Sequence, residues 1–257
     1  RGKMFGREND LEKLKRRWDL VRLGEYRQEP LLLISGEGGI GKTRLLRELQ
    51  VYTGLRDGYI LHAVAQERDA ATPYAVVTRI LSNYIAEQPA EVLRSRMTGF
   101  TAGEVVKLVP HLSEKLGQIQ ANPPLDPSAE RARLLDQTSQ FLLNIANYQP
   151  TLLLIDDLHF SDPASLEILQ LVLRQAVGSS LLVTAAYRDV ALRYSNPAGR
   201  LVTALESDGL VFRVPLRRLS QNTIKQMLEA LLGNTVSRKF LRSIYQATEG
   251  NPYFVEE

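Results

Sequence analysis

The stretch "GEGGIGKT", Gly36 to Thr43, brings glycines, a lysine and a threonine together in the pattern G-x-x-x-x-G-K-[ST]. Glycines let the backbone curl so that successive N–H groups face phosphate oxygens, and Lys42 can reach the β- and γ-phosphates. The Thr43 hydroxyl can bind Mg²⁺. The competing interpretation is a plain glycine turn, but the pattern predicts a phosphate-binding loop. Its expected nucleotide contacts are Gly36, Gly38, Gly39, Ile40, Gly41, Lys42, Thr43 and Arg44.

Two adjacent aspartates, Asp156 and Asp157, directly follow the apolar run "TLLLI". Burying an unpaired charge is energetically costly, so we expect this run to end at a position where a cation can pair with the two aspartates. In a phosphate-loop protein such an acid holds Mg²⁺, which we predict for Asp156 together with Thr43. Asp157 can then orient an attacking water as a general base, although a cap or a loop salt bridge is the alternative.

The elements that position these residues are predicted from apolar runs. "PLLLIS" precedes the glycine loop and "KTRLLRELQVY" follows it as a helix, and further strands are "YILHAVAQ", "TLLLI", "SLLVTAAY" and "LVFRVPL". Strands that are apolar throughout and separated by helices predict a parallel sheet with helices on both faces. The expected fold class is α/β, a P-loop NTPase core followed by a small all-α lid.

Helix ends are predicted from capping residues. Asn9 with Glu12 indicates a capping box at the first helix, and Asp-Pro pairs at 126–127 and 162–163 indicate an N-cap followed by the first helical residue. Residues 89–125 are irregular, with helical pieces broken by prolines.

The predicted domain boundary lies close to Leu216, because only helical patterns follow it. Residues 1–216 form the predicted nucleotide-binding α/β domain, in which 4–24 is the segment on the adenine side. Residues 217–257 form the predicted lid, which we expect to be truncated at its C-terminus, so that the chain is a fragment of a longer protein.

Composition narrows the classes of function. The 257 residues contain no cysteine, which excludes disulfides, thiolate zinc sites and thiol nucleophiles. The 32 basic and 29 acidic residues give a net charge of +3, and the basic ones do not cluster, so no direct nucleic-acid site is expected. No apolar run of about 18 residues and no signal-peptide pattern is visible, so we expect no membrane contact and a cytoplasmic location.

These motifs, together with "MFGREND", "LLLIDDLHFSDPASLEIL", "TAAYRD" and "TEGNPYFVEE", resemble the signal-transduction ATPases with numerous domains (STAND). STAND proteins are a branch of the AAA-like P-loop NTPases that includes large bacterial transcription activators. The resemblance runs from about Met4 to the end of the chain. It implies an ATP/ADP switch flanked by sensor and effector domains.

Three further roles are implied by this resemblance. "FGRE" is similar to the segment along the adenine, so Phe5, Gly6 and Arg7 become candidate adenine contacts, with a helix-entry turn as the alternative. "YRD" is similar to the sensor position, which directs Arg188 at the γ-phosphate unless it is an ordinary strand-end arginine. "GNP" is similar to the lid motif whose proline, here Pro252, packs near the nucleotide, although any helix junction favours these residues.

The function expected from residues and resemblance is a regulatory switch that binds ATP or ADP and hydrolyses ATP slowly with Mg²⁺. Without an N-K-x-D stretch, adenine is expected in place of guanine. Expected partners are sensor and effector domains outside this chain, with nucleotide-dependent self-association as a further possibility. The alternatives are an AAA-type motor ring with an arginine finger supplied by a neighbouring subunit, and a small-molecule kinase that uses 89–125 as its substrate lid.

Overall fold

A five-stranded parallel sheet forms the centre of the protein in the computed structural model, which describes residues 4–25, 28–189 and 196–257. The spatial order is β2-β3-β4-β1-β5, so β4 separates β1 from β3. Every residue of β1, β3 and β4 is buried, as expected for strands covered on both faces. The strands are β1 (Leu31–Ser35), β2 (Tyr59–Val64), β3 (Thr151–Asp156), β4 (Leu181–Tyr187) and β5 (Val211–Pro215).

Helices cover both faces of this sheet, which confirms the predicted fold class. On one face Trp18 and Leu49, from α1 and α2, pack against Leu32 and Leu154. The opposite face carries the larger core, in which Tyr84 and Phe141 meet edge to face. The helices are α1 (Glu8–Arg22), α2 (Lys42–Gly54), α3 (Ala75–Glu87), α4 (Ala90–Arg96), α5 (Gly99–Leu108), α6 (Leu112–Leu116), α7 (Pro127–Tyr148), α8 (Pro163–Gln175), α9 (Pro197–Ser207), α10 (Gln221–Leu232), α11 (Arg238–Thr248) and α12 (Pro252–Glu256).

Two of the three predicted helix caps are confirmed. Asp126 accepts hydrogen bonds from backbone N–H groups at the start of α7, and Asp162 does so at the start of α8. The predicted capping box of Asn9 and Glu12 is wrong, because α1 already begins at Glu8 and Arg7 is its cap residue. The Arg7 side chain does not cap the helix, since its guanidinium donates to carbonyl oxygens elsewhere.

The C-terminal part of the chain is helical and contains α10, α11 and α12. Leu219, Ile224, Met227 and Leu228 form a small core of their own, and Phe5 packs against it. The loop between β5 and α10 contains the predicted domain boundary at residue 216, and the division into two domains stays a prediction. Among the described residues, no helix is both long and apolar enough to span a bilayer.

Candidate nucleotide-binding site

The glycine loop connects the buried end of β1 to the first residue of α2. Gly41 is the N-cap of α2 and has a left-handed φ of 104°, a conformation that most other residues avoid. Gly39 has a φ of +78°, and a Cβ atom there would lie 2.6 Å from Cβ of Tyr253. These glycines let the loop curl above the N-terminus of α2, which is the geometry of an anion-binding site.

Lys42 is the first residue of α2, and its side chain is buried beneath the loop. Its ammonium group donates to the carbonyl oxygens of Gly36 and Glu37, at 2.8 and 2.7 Å. Burial lowers the pKa of Lys42, and the nearby charge of Asp157 partly offsets this effect. Within the described parts of the chain this ammonium forms no ion pair, so its charge suits an anionic ligand such as a phosphate.

Thr43 and Asp156 meet directly, although 113 positions separate them in the sequence. The Thr43 hydroxyl donates to Oδ2 of Asp156 at 2.6 Å, and the Asp157 N–H donates to Oδ1 at 3.0 Å. The residue Asp156 is only 5% exposed and, across the described ranges, its carboxylate has no cationic side chain within ion-pair distance. A hydroxyl and a carboxylate oxygen are the ligands that Mg²⁺ prefers, so this pair fits the ion.

Among the described residues, those of the site included, no group of three or more His, Asp or Glu side chains could hold a metal ion. A magnesium site that uses few protein ligands agrees with this finding, because Mg²⁺ usually keeps several waters and binds substrate phosphates.

Asp157 adopts a left-handed conformation, with φ 53° and ψ 44°. Such a conformation costs a non-glycine residue on the order of 1–3 kcal/mol and is found preferentially at functional sites. The side chain is 29% exposed and lines a cavity of about 670 Å³ together with Lys42 and Arg188. The structure therefore brings together the three residues for which catalytic roles were predicted.

This cavity, called the main cavity because it contains the glycine loop, is large enough for a small-molecule ligand, although a cavity of about 870 Å³ lined by residues within 94–124 is larger. It is lined by loop residues, the exposed side of α2, and α10 of the C-terminal region. The lining residues are Phe5, Gly38, Gly39, Gly41, Lys42, Thr43, Arg44, Arg47, Glu48, Asp157, Arg188, Met227, Ala230, Leu231 and Glu256.

A smaller cavity of about 140 Å³ shares Phe5, Gly39 and Met227 with the main one. Arg7, Ile40 and Pro252 line it as well. Its walls are largely apolar, which suits a planar base. Phe5 and Arg7 line this cavity, and their role as adenine contacts stays a prediction.

The remaining predicted residues lie at the edges of the site. Gly6 lines neither cavity and packs against α10, because a Cβ there would lie 2.6 Å from Cγ2 of Thr223. Gly36 lines neither cavity, but its carbonyl holds Lys42. The Arg7 guanidinium joins the loop to the C-terminal region by donating to Ile40 O and Arg217 O.

Contacts between the C-terminal helices and the loop were not predicted from the sequence. The Asn251 side chain donates to the Gly38 carbonyl at 2.9 Å, and it also caps α12. Arg218 donates to both carboxylate oxygens of Glu37, at 2.7 and 3.0 Å, and pairs with Glu249. The contact of Glu37 could not be predicted, because Glu37 occupies a variable position of the loop pattern. Asn251 belongs to the motif "GNP", which could have indicated a contact with the loop.

A family described as "AAA ATPase domain" matches residues 3–184. An uncharacterised protein of Rhizobium meliloti (strain 1021) is 26% identical over an alignment of 220 residues, and the match covers 80% of this chain and 21% of that relative. The chain thus spans only a minor part of the curated relative that it matches.

Solved structures at low sequence identity share the fold. A Walker-type ATPase of Pyrococcus abyssi has a TM-score of 0.51 at 14% identity, over 98% of this chain and 66% of that one. AMPPCP-bound DnaA from Aquifex aeolicus has a TM-score of 0.51 at 15% identity, over 97% and 59%. Domain III of the Thermotoga maritima replication initiation protein DnaA has a TM-score of 0.50 at 15% identity, over 98% and 80%. Since the family match covers most of the chain and includes both the glycine loop and the two aspartates, the chain belongs to the AAA ATPase domain family.

Proposed function

We propose that this protein is a nucleotide-operated regulatory switch of the STAND type, which binds ATP or ADP and hydrolyses ATP slowly. One observation carries the proposal: the C-terminal helical region rests directly on the phosphate loop. Asn251 donates to the Gly38 carbonyl, and Arg218 forms two hydrogen bonds with Glu37. If the loop changes conformation when a phosphate binds or leaves, these contacts would therefore change the position of the helical region.

The coupling follows from differential affinity. A ligand shifts an equilibrium between two conformations only as far as it binds one of them better. Nucleotide in the main cavity would contact the glycine loop on one side and Met227 of α10 on the other. ATP and ADP differ by the γ-phosphate, which would lie toward Lys42 and Asp157. The two nucleotides would thereby favour different positions of the helical region.

The chemistry of hydrolysis is divided among few side chains. Lys42 binds the phosphates, Asp157 orients the attacking water, and Arg188 stabilises negative charge at the γ-phosphate. Thr43 and Asp156 would hold Mg²⁺, which when bound supplies positive charge against the developing charge on the phosphate oxygens. Slow turnover is expected because a complete arginine finger, worth about 10³ to 10⁵ in rate, is not assigned to any described residue.

The regulated partners are effector and sensor domains outside this chain, and the site of action is the cytoplasm. Nucleotide-dependent self-association accompanies the switch. The second candidate is a motor or remodelling ATPase that works as a ring, which membership of the AAA ATPase domain family favours. In that case a neighbouring subunit would supply the finger, and turnover would depend on assembly.

Steady-state phosphate release over a wide range of protein concentrations separates the two candidates. The switch predicts turnover well below about one per second that does not change with concentration. Turnover that climbs steeply with concentration would support the motor and overturn the switch. Lys42→Ala is the control, because its phosphate release gives the background from contaminating enzymes.

A further inference from the structure

His159 is a buried residue next to the proposed general base, and the chemistry described above does not use it. It lies in a short 3-10 turn, Leu158–Phe160, which begins directly after Asp157. Its side chain is only 4% exposed, and its Nδ1 atom lies 4.0 Å from Oδ1 of Asp157. Within the described residues this nitrogen has no hydrogen-bond partner, and a buried polar atom without a partner is unusual.

The imidazole is held in a fixed place by its surroundings. Its ring stacks at a tilt against Phe160, with the centroids 4.1 Å apart. The His159 carbonyl accepts a hydrogen bond from the Asn196 side chain, which ties the turn to the start of α9. The Phe160 N–H donates to the Asp157 carbonyl, so the turn also restrains the aspartate backbone. Asp157, being 29% exposed, has more freedom to rotate than His159.

Burial lowers the pKa of His159, and the positive charges of Arg188 and Lys42 lower it further. The negative charges of Asp157 and Asp156 raise this pKa and partly offset the effect. A neutral imidazole has one N–H donor and one acceptor nitrogen, and the hydrogen bonds of the ring decide which nitrogen holds the proton. The neighbour of Nδ1 is a carboxylate, which can only accept. A proton on Nδ1 would face this acceptor, whereas an unprotonated Nδ1 would place its lone pair toward the negative carboxylate.

We propose that His159 is a positioning residue: its Nδ1–H donates to the Asp157 carboxylate and fixes the orientation in which that carboxylate activates water. The observed separation is about 1 Å longer than a hydrogen bond, and rotation of the Asp157 side chain closes it. This inference rests on the role proposed above for Asp157. Accurate orientation matters because a misplacement of 1 Å can cost about a hundredfold in rate.

Three substitutions at one position separate positioning from packing. Asn places an amide N–H near the position of Nδ1, Gln places it near Nε2, and Leu has neither donor. We expect His159→Leu and His159→Gln to lower kcat by roughly ten- to a hundredfold with KM and ADP affinity unchanged, and His159→Asn to regain most of the loss. An Asn variant as slow as the Leu variant, or a change confined to KM, would overturn the proposal.

A second measurement does not depend on hydrolysis. Nitrogen-15 spectra of the histidine side chains, with His62 and His111 assigned by substitution, report which ring nitrogen is protonated. We expect His159 to be protonated at Nδ1 and to lose this preference in Asp157→Gly, since glycine tolerates the left-handed backbone. Protonation at Nε2 in the unchanged protein would refute the contact even if no His159 variant folds. Absent ATP hydrolysis with the expected Nδ1 signal would instead refute the proposed function alone.

Discussion

Lys42 is the residue at which the phosphate assignment is tested most simply. Its ammonium is buried, held by the Gly36 and Glu37 carbonyls, and without an ion pair in the described segments. We expect Lys42→Ala to weaken binding of both ATP and ADP by about ten- to a hundredfold, the value of one or two charge-assisted hydrogen bonds. Calorimetric titration measures this directly, and an unchanged affinity for either nucleotide would disprove the assignment of the loop.

The two adjacent aspartates are expected to behave differently when neutralised. Asp157→Asn should retain binding of Mg²⁺ and ATP but hydrolyse about a hundredfold more slowly, which is the usual contribution of a positioned base. Asp156→Asn should weaken Mg²⁺-dependent binding, because it removes the charge that meets Thr43. Titrations with and without Mg²⁺, paired with single-turnover rates, measure both effects. Equal behaviour of the two variants would contradict the division of roles.

At the residue scale, the sequence predicts those site residues whose positions follow directly from a loop pattern or from the end of a strand. Thr43 contacts Asp156 and lines one cavity with Lys42, because a glycine loop and a strand end leave these residues few alternatives. Residues such as Glu37 and Arg218 could not be predicted, since 181 positions separate them and only the fold brings them together. Arg7 was predicted as an adenine contact, yet its donors also serve two backbone carbonyls.

At the scale of elements, the junction between the glycine loop and α12 can be tested with two adjacent glycines. Gly39 has a positive φ, and a Cβ there would collide with Tyr253, whereas a Cβ on Gly38 would meet open space. We expect Gly39→Ala to displace α12 and to increase proteolysis within 217–257, with a loss of about 1–2 kcal/mol in stability from backbone strain. Limited proteolysis and thermal unfolding measure the two effects.

Gly38→Ala is the matched control for this variant, because it alters the same loop by the same methyl group. It should leave the proteolysis of 217–257 close to that of the unchanged protein. If both variants are cleaved equally fast, contact between the loop and α12 does not hold the helical region in place.

Elements with a strong pattern were predicted well. The five strands were evident because each is a short apolar run, and the Asp-Pro pairs at 126–127 and 162–163 identified two helix starts. The helices within residues 89–125 could not be predicted individually from the sequence pattern. They are α4, α5 and α6, which together span only 27 residues. Short helices of this kind depend on packing more than on intrinsic propensity. The predicted Asn9 cap was wrong because α1 begins before it, at Glu8, where the Arg7 carbonyl accepts the first hydrogen bond of the helix and the Arg7 side chain does not cap it.

At the scale of the whole molecule, we propose that bound nucleotide sets the position of the C-terminal helices. The junction combines apolar packing, of Phe5 on the small C-terminal core, with polar contacts that include Asn251 with Gly38, which is buried, and Arg218 with Glu37, which is exposed. Exposed ion pairs contribute about 0–1 kcal/mol, so the junction can be shifted by a modest difference in nucleotide affinity. A large apolar interface would hold one conformation regardless of the nucleotide.

Hydrogen exchange of the backbone amides in residues 217–257, compared between the ADP-bound protein and the protein bound to a non-hydrolysable ATP analogue, tests this claim most directly. We predict that exchange in this region, and above all near Asn251, differs between the two states by tenfold or more, equivalent to about 1.4 kcal/mol. The core strands β1, β3 and β4 serve as the internal control and should exchange equally in both states. Identical exchange across 217–257 with both nucleotides bound would contradict the switch.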